Sequence, residues 1–322
     1  MKYIIFLSLF FTALSCSNDF DLVAPHVETP VIYGLLNAND TAQYIRVERT
    51  FVDKNTSANI IAQNPDSLYY EGITVSLTRV ATGDTWTLTR VDGNNEGLQR
   101  EEGVFATAPN FLYKIRTADM DLVTEEDYEI RIDGVFEDRT VSATTDVIEQ
   151  PFLSMPQNES FIAFDRNRAV NIGWNPRGDL TIYAVTYIFS VDETMDGITK
   201  ERILEWNVET ATEKTNVEFL GLEFYSFLAG ALEQNPSITR RMNRASFRLV
   251  AGNNDLKDYL RVTQANLGIT SSGEIPVFTN IENGLGIFGS RSTEIRERLG
   301  FRDTTIDSLV NSPITSALNF QF

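Results

Sequence analysis

The chain has 322 residues, a formal net charge of −18 and a hydrophobic content of 42%, including 21 phenylalanines. This length is enough for about two domains, and the apolar content is enough to build packed cores, which excludes an acidic disordered chain. Because the strong negative charge would repel phosphate backbones, we expect no nucleic-acid partner.

The N-terminus has the pattern of a secretory signal. Lys2 is followed by an apolar run over residues 3–14, which is too short for a transmembrane helix of roughly 20 residues. The sequence Ala-Leu-Ser-Cys at 13–16 resembles a bacterial lipobox, with its leucine one place later than usual, and Cys16 is the only cysteine. We predict a lipoprotein signal peptide over residues 1–15 and acylation of Cys16, which would hold the protein on a membrane. An ordinary signal peptide that contains a cysteine is the alternative.

Residues 16–29 are polar and aperiodic, which predicts a tether. After them come seven short runs of alternating apolar and polar residues separated by turn residues, a pattern typical of a β-sandwich. We predict an immunoglobulin- or fibronectin-like sandwich domain over 30–148. Its strands are expected at 30–36, 43–51, 72–80, 84–91, 111–117, 128–133 and 139–147.

Tyr128 lies six residues after Leu122, at the start of a predicted strand. This arrangement resembles the tyrosine corner of immunoglobulin-like sandwiches, in which the hydroxyl bonds back to the backbone of the preceding loop. A tyrosine that merely opens a strand is the alternative.

Two prolines and a polar run predict a linker over 149–160, followed by a second β-rich domain over 161–322. Within that domain, apolar residues at spacings of 3 and 4 predict an inserted amphipathic helix near 218–234, with Asn216 as a cap and Pro236 as a stop. A short helical segment at 254–262 is also expected. The whole chain is thus predicted to be mainly β.

The sequence indicates no catalytic, cofactor-binding or metal-binding residue. The single histidine, His26, lies in the tether, so a serine triad and a His/Cys zinc site lack partners. Carboxylates are abundant, and the acidic turns at 92–96 and 192–197 could supply oxygen ligands to calcium, but neither has EF-hand spacing.

Residues 284–289, Gly-Leu-Gly-Ile-Phe-Gly, match G-x-G-x-x-G and precede the helix-like 292–300. A dinucleotide site also needs a βαβ unit, for which the surroundings give no sign. Glycines that let a strand approach another backbone are the favoured interpretation. We predict a turn at 282–284 and a strand at 285–290 that pairs within the second domain. Ile287 is expected on the inner face of the sheet and Phe288 on the opposite face.

The lipobox, the run VIYGLLNANDTAQYIRVERTF, the helix EFYSFLAGALEQNPSITRRM and the late PVFTNIENGLGIFGSR resemble a family of secreted Gram-negative (Bacteroidota-type) lipoproteins of unknown function, DUF4249-like. Members are often encoded near TonB-dependent outer-membrane receptors. The resemblance covers most of residues 30–291. It implies a location at the outer membrane and a sandwich-based fold, with no catalytic residues to transfer.

These observations predict a membrane-anchored lipoprotein with a non-catalytic binding or accessory role. Its candidate partners are the membrane, through lipid on Cys16, and an outer-membrane protein such as a receptor, or a glycan. The acidic residues at 18–21 resemble surface-export signals, which favours display on the cell surface. A carboxylate-dependent glycan hydrolase is the alternative, and it needs two acids in one deep pocket.

Overall fold

The structure is a computed structural model that describes residues 28–53, 56–178, 180–265 and 277–322. The fold is mainly β, as the sequence predicts, and consists of two sandwiches built in chain order. Cys16 and His26 lie outside the described residues.

The first sandwich has two facing sheets, with strand orders β1-β2-β6-β5 and β4-β3-β7-β8. These are the orders A-B-E-D and C′-C-F-G of an immunoglobulin-like sandwich. Its strands are β1 (Pro30–Leu36), β2 (Ala42–Arg49), β3 (Thr74–Arg79), β4 (Thr85–Thr87), β5 (Thr89–Asp92), β6 (Phe111–Arg116), β7 (Asp127–Asp133) and β8 (Val141–Asp146).

The run at 84–91, predicted as one strand, is divided between the two sheets. β4 pairs with β3, whereas β5 pairs with β6 on the facing sheet. Leu88 stands between them and is buried. Short helical segments occupy the connections of this sandwich: α1 (Ala58–Ala62), a 3₁₀ turn at Pro65–Ser67, a second at Gly93–Glu96, and α2 (Thr117–Met120).

The tyrosine corner is confirmed. Tyr128 is fully buried at the start of β7, and its hydroxyl accepts hydrogen bonds from the Val123 N–H at 3.0 Å and from the Arg79 Nε at 3.0 Å. The loop before β7 is therefore tied to the strand by the mechanism that the spacing predicts.

The second sandwich repeats the arrangement. Its sheets have the orders β9-β11-β14 and β13-β12-β15-β16, with β10 beside the end of β16. The strands are β9 (Phe152–Leu153), β10 (Phe161–Ile162), β11 (Ala169–Asn175), β12 (Ile182–Met195), β13 (Ile198–Thr212), β14 (Asn216–Leu220), β15 (Thr239–Gly252) and β16 (Leu285–Phe301). Strand β9 lies inside the segment 149–160, which was predicted to be a linker, and β10 follows directly after that segment.

Three helices belong to this half of the chain: α3 (Gly221–Ala231), α4 (Asn254–Ala265) and α5 (Asp303–Asn311), followed by a 3₁₀ turn at Ser316–Leu318. The inserted helix α3 lies within the interval 218–234, but Asn216 begins strand β14 and Leu220 is the N-cap. Phe224, Tyr225 and Leu228 are buried, so α3 closes the aromatic core of the second sandwich.

Strand β16 joins the two sandwiches. Its first residues, Leu285–Ser290, pair in parallel with Val31–Leu36 of β1, and Arg291–Leu299 pair antiparallel with β15. The result is a continuous sheet that runs from β13 of the second sandwich to β5 of the first.

Three expectations about this segment are therefore corrected. Residues 285–290 form a strand that follows a turn at Asn283, as predicted, but its partner is β1 and not a strand of the second half. Residues 292–300 continue the strand and are not helical. The faces are exchanged as well: Phe288 belongs to the core of the first sandwich, whereas Ile287 is buried on the outer face.

The parallel register explains which face Phe288 takes. Phe288 is opposite Gly34, and Ile32 and Leu36 on the same side of β1 are fully buried. A Cβ atom at Gly34 would lie 3.2 Å from the Phe288 ring and 2.5 Å from Ile45, so the missing side chain leaves the space that the ring occupies. Burial of such a ring contributes about 1.5–3 kcal/mol.

Candidate functional site

A cleft of about 850 Å³ lies where the two sandwiches meet. Its floor is the outer face of β1, β2 and β16, and its wall is helix α4, which contributes Leu256 and Tyr259. This volume is in the range of small-molecule sites. The cleft therefore draws its lining from residues that are far apart in the chain.

Tyrosines dominate the centre of this cleft, hereafter the junction cleft. Tyr33 of β1 is 41% exposed, and Tyr44 of β2 and Tyr259 of α4 also line it. Burial, followed by the neighbouring Tyr259 and Glu48, raises the pKa of Tyr33 above its ordinary value. Leu35 and Ile287 supply apolar surface between the rings.

Ion pairs occupy the rims of the junction cleft. At one end, Glu96 accepts hydrogen bonds from the Lys114 Nζ at 2.5 Å and from the Tyr44 hydroxyl at 3.1 Å. The bond from Lys114, with that from Tyr44, lowers the pKa of Glu96. At the other end the Arg291 Nη2 donates to the Asp40 Oδ2 at 3.0 Å.

The arrangement can hold a flat or apolar group against the tyrosine faces while hydroxyls and paired charges meet its polar edges. General acid catalysis by a carboxyl needs the opposite environment, one that raises a pKa toward neutrality. Glu96 is held ionised, so it is suited to accepting hydrogen bonds from a ligand.

A buried polar cluster positions the wall of the junction cleft. Asn253 is fully buried and is the residue before α4, where its Oδ1 accepts from the Leu256 N–H at 3.2 Å. Its Nδ2 donates to the Thr145 Oγ1 and the Asp146 Oδ1, each at 2.8 Å, on β8 of the first sandwich. One side chain thus caps the helix and fixes it to the other sandwich.

Asp255 completes this cluster. Its Oδ2 accepts from the Thr145 Oγ1 at 3.0 Å, and burial raises its pKa in spite of the hydrogen bonds from Thr145 and Asn253, which lower it. On the β16 side, the Ser290 Oγ accepts from the Ile148 N–H at 3.3 Å. The junction is therefore held by specific polar contacts as well as by the shared strand.

The glycine-rich motif has a structural role. Gly286 has φ of +105°, and a Cβ atom there would lie 2.0 Å from the Ile32 carbonyl oxygen. Only glycine permits so close an approach of the two strands. The Asn280 side chain completes the segment, accepting from the Phe288 N–H at 3.0 Å and donating to the Phe288 carbonyl oxygen.

The acidic turns are also engaged in local structure. The Asp92 Oδ1 accepts from the backbone N–H groups of Asn94 and Asn110, each at 3.0 Å. Asp196 and Gly197 both have positive φ and form the tight turn between β12 and β13. Within residues 28–53, 56–178, 180–265 and 277–322, no group of three or more His, Cys, Asp or Glu side chains could hold a metal.

Sequence reasoning did not find the residues of the junction cleft. Tyr33 and Tyr44 lie in predicted strands, where the sequence pattern fits a buried core tyrosine as well as one that lines a cleft. Asn253, directly before the helical segment at 254–262, has the pattern of an N-cap and could have been recognised. Its contact with β8 could not, because that contact joins residues more than a hundred positions apart.

No family model and no curated protein matches the chain. Solved structures that match it include DIP-gamma IG1+IG2, at 9% identity and a TM-score of 0.18, covering 85% of this chain and 98% of that chain. The FN1-FN3 domains of chicken CNTN1 match at 11% identity and a TM-score of 0.17, covering 84% of this chain and 65% of that chain. The calcium binding domain CBD12 of CALX1.1 matches at 11% identity and a TM-score of 0.17, covering 84% and 99%. At such low TM-scores the fold assignment rests on the strand orders and the tyrosine corner.

Proposed function

We propose that this protein is a lipoprotein of the outer membrane, anchored through acylated Cys16, with a non-catalytic binding or accessory role. The observation that supports binding is the junction cleft, because its tyrosines and rim ion pairs form a preformed concave surface on a framework joined by β16. The resemblance to secreted lipoproteins supports the location. None of the helices in the described part of the chain is long and apolar enough to cross a membrane.

The anchor is tested by mass spectrometry of the mature N-terminus. Acylation of Cys16 adds the mass of its fatty-acyl chains, and cleavage by a lipoprotein signal peptidase before Cys16 removes residues 1–15; Cys16→Ser should abolish both changes. An unmodified Cys16, or cleavage at another bond, would contradict the proposal. Protease treatment of intact cells, which should release the protein, tests display on the surface separately.

The binding role is tested with a photo-crosslinking amino acid introduced at Tyr33 in intact cells. If an outer-membrane protein occupies the junction cleft, a discrete crosslinked partner should form at this position. The matched control is the same substitution at Ile198, an exposed residue of the β12–β13 hairpin. Equal crosslinking from both positions would argue against a partner that is specific for the cleft.

The alternative function, glycan hydrolysis, would require two carboxyl groups in the junction cleft that act as acid and as base or nucleophile. Asp40 and Glu96 are its two carboxylates, and both are engaged by a cation. Glycan hydrolysis requires one protonated carboxyl as the acid, and the lowered pKa of Glu96 works against that role. Release of reducing sugar from a surface polysaccharide that is lost in Glu96→Gln would favour the enzyme.

A further inference from the structure

Strand β11 has an open edge. In the order β14-β11-β9, β14 pairs with Ala169–Gly173, whereas β9 on the opposite edge pairs only with Trp174 and Asn175. Pro156 follows β9 closely and cannot continue a ladder, because it lacks an N–H. The chain then passes to the other sheet, where β10 pairs with β16.

The direction of the backbone groups follows from two hydrogen bonds to the β14 side. The Trp174 N–H donates to the Thr215 carbonyl oxygen, and the Arg168 carbonyl oxygen accepts from the Gly221 N–H, each at 3.0 Å. The backbone N–H and C=O groups of the even-numbered residues of β11 therefore point toward β14. Since successive residues of a strand alternate, the N–H and C=O groups of Asn171 and Gly173 point to the open edge.

A cavity of about 520 Å³ lies against this edge, lined by residues 170–175 of β11 and by the crossing segment. Met155 and Phe161 also line it and are 59% and 63% exposed. Its lining also includes Tyr187, which is 2% exposed, and Trp174, whose buried Nε1 has no hydrogen-bond partner in the described part of the chain. The open edge thus lies beside a concave surface that offers exposed apolar side chains together with polar groups.

Other edge strands of the molecule are protected against pairing with another chain by being short or by carrying charged side chains. Strands β4 and β5 have only three and four residues, and β13 presents the charged run Lys200, Glu201 and Arg202. The open stretch Ala169–Gly173, with sequence AVNIG, has no charged residue. It is bounded instead by Arg168 before it and Arg177 after it, in a chain of net charge −18.

We propose that this edge binds an extended segment of a partner polypeptide by strand addition, in the line that β9 would take if it continued. Its backbone would pair with Asn171 and Gly173, and its inward side chains would be apolar and fill the cavity. Acidic residues at its ends would face Arg168 and Arg177. The proposal concerns a second surface, distinct from the junction cleft.

The test uses the purified full-length protein and a fluorescein-labelled peptide, Asp-Thr-Val-Thr-Val-Thr-Asp. Fluorescence anisotropy should show saturable binding with a Kd below about 1 mM. N-methylation of the alternate amides along one peptide edge should weaken binding about tenfold or more, because strand addition needs those donors. N-methylation along the other edge should leave binding unchanged. Hydrogen exchange of residues 169–175 should slow when the unmodified peptide is bound.

Asn171→Pro removes an N–H from the open edge only, so β11 should still pair with β14. It should weaken peptide binding about tenfold, while the control Asn171→Ala stays within about twofold of the parent. If Asn171→Pro does not fold, the two N-methylated peptides decide the question alone. Absence of peptide binding, equal binding of both N-methylated peptides, or equal binding by Asn171→Pro would overturn the proposal. A concentration-dependent dimer that Asn171→Pro abolishes would also overturn it, by showing that a second copy occupies the edge.

Discussion

Replacement of Gly286 with alanine should destabilise the protein by about 4 kcal/mol, a large part of the stability of a typical domain. Gly286 lies in β16 opposite Ile32 of β1, at the pairing that joins the two sandwiches. The substitution adds a single methyl group, so its effect measures how closely these two backbones approach.

Two effects make up the magnitude. The φ of +105° at Gly286 is strained for any residue with a Cβ atom and costs about 1–3 kcal/mol. The new Cβ atom would also lie 2.0 Å from the Ile32 carbonyl oxygen, which is backbone and cannot turn aside. The strands must separate, at a cost of about 1–3 kcal/mol for overpacking in addition to weakened pairing.

Gly97→Ala is the matched control. Gly97 has φ of +78° and no atom within 4 Å of the position of a Cβ, so only the backbone cost of about 1–2 kcal/mol is expected. Both variants would be unfolded in urea and followed by tryptophan fluorescence, with Trp86 in the first sandwich and Trp174 and Trp206 in the second. If Gly286→Ala costs no more than Gly97→Ala, the close approach of β1 and β16 is refuted.

Three further substitutions test the polar interior. Burial raises the pKa of Asp255 above 3.8, so the folded state holds its proton to higher pH than the unfolded chain, and stability falls as pH rises through that window. Asp255→Asn should therefore gain stability relative to the parent as pH rises above about 4 in urea titrations, and a constant difference would contradict this. Tyr128→Phe should cost about 2 kcal/mol, because two donors lose their acceptor, against about 1 kcal/mol for Tyr183→Phe, which loses one bond to a carbonyl. The fully buried guanidinium of Arg240 donates a hydrogen bond to the Leu318 carbonyl oxygen at 2.9 Å. Arg240→Met should therefore make the last residues of the chain more sensitive to carboxypeptidase. Unchanged digestion would show that this bond does not hold the last residues in place.

Local patterns in the sequence were sufficient for the strands and for one tertiary contact. Alternation of apolar and polar residues predicts where β1, β2, β3, β6, β7 and β8 lie, because the side chains of a strand follow a period of two. The spacing of Leu122 and Tyr128 predicts the hydrogen bond to the preceding loop, because both partners lie within a few residues. The predictions of a signal peptide and of acylation at Cys16 likewise rest on neighbouring residues.

The partners of the strands could not be read in this way. Alternation shows that a strand has two faces but does not say which neighbour it pairs with or which face is covered. Residues 285–290 were therefore assigned the wrong partner, and Ile287 and Phe288 the wrong faces, because β1 lies some 250 positions earlier in the chain. A single strand predicted at 84–91 is in fact two, since the facing sheets compete for it.

Both candidate surfaces depend on these distant pairings. The junction cleft exists because β16 pairs with β1 and because Asn253 fixes α4 to β8. The open edge exists because β9 pairs with only two residues of β11, after which the chain crosses to the other sheet and β10 pairs with β16. By itself the sequence determined the local elements, whose causes lie within a few residues, and its N-terminus supports the prediction of a lipid anchor. The positions of the cleft and of the open edge depend on the tertiary structure alone, because each is formed by segments that are far apart in the chain.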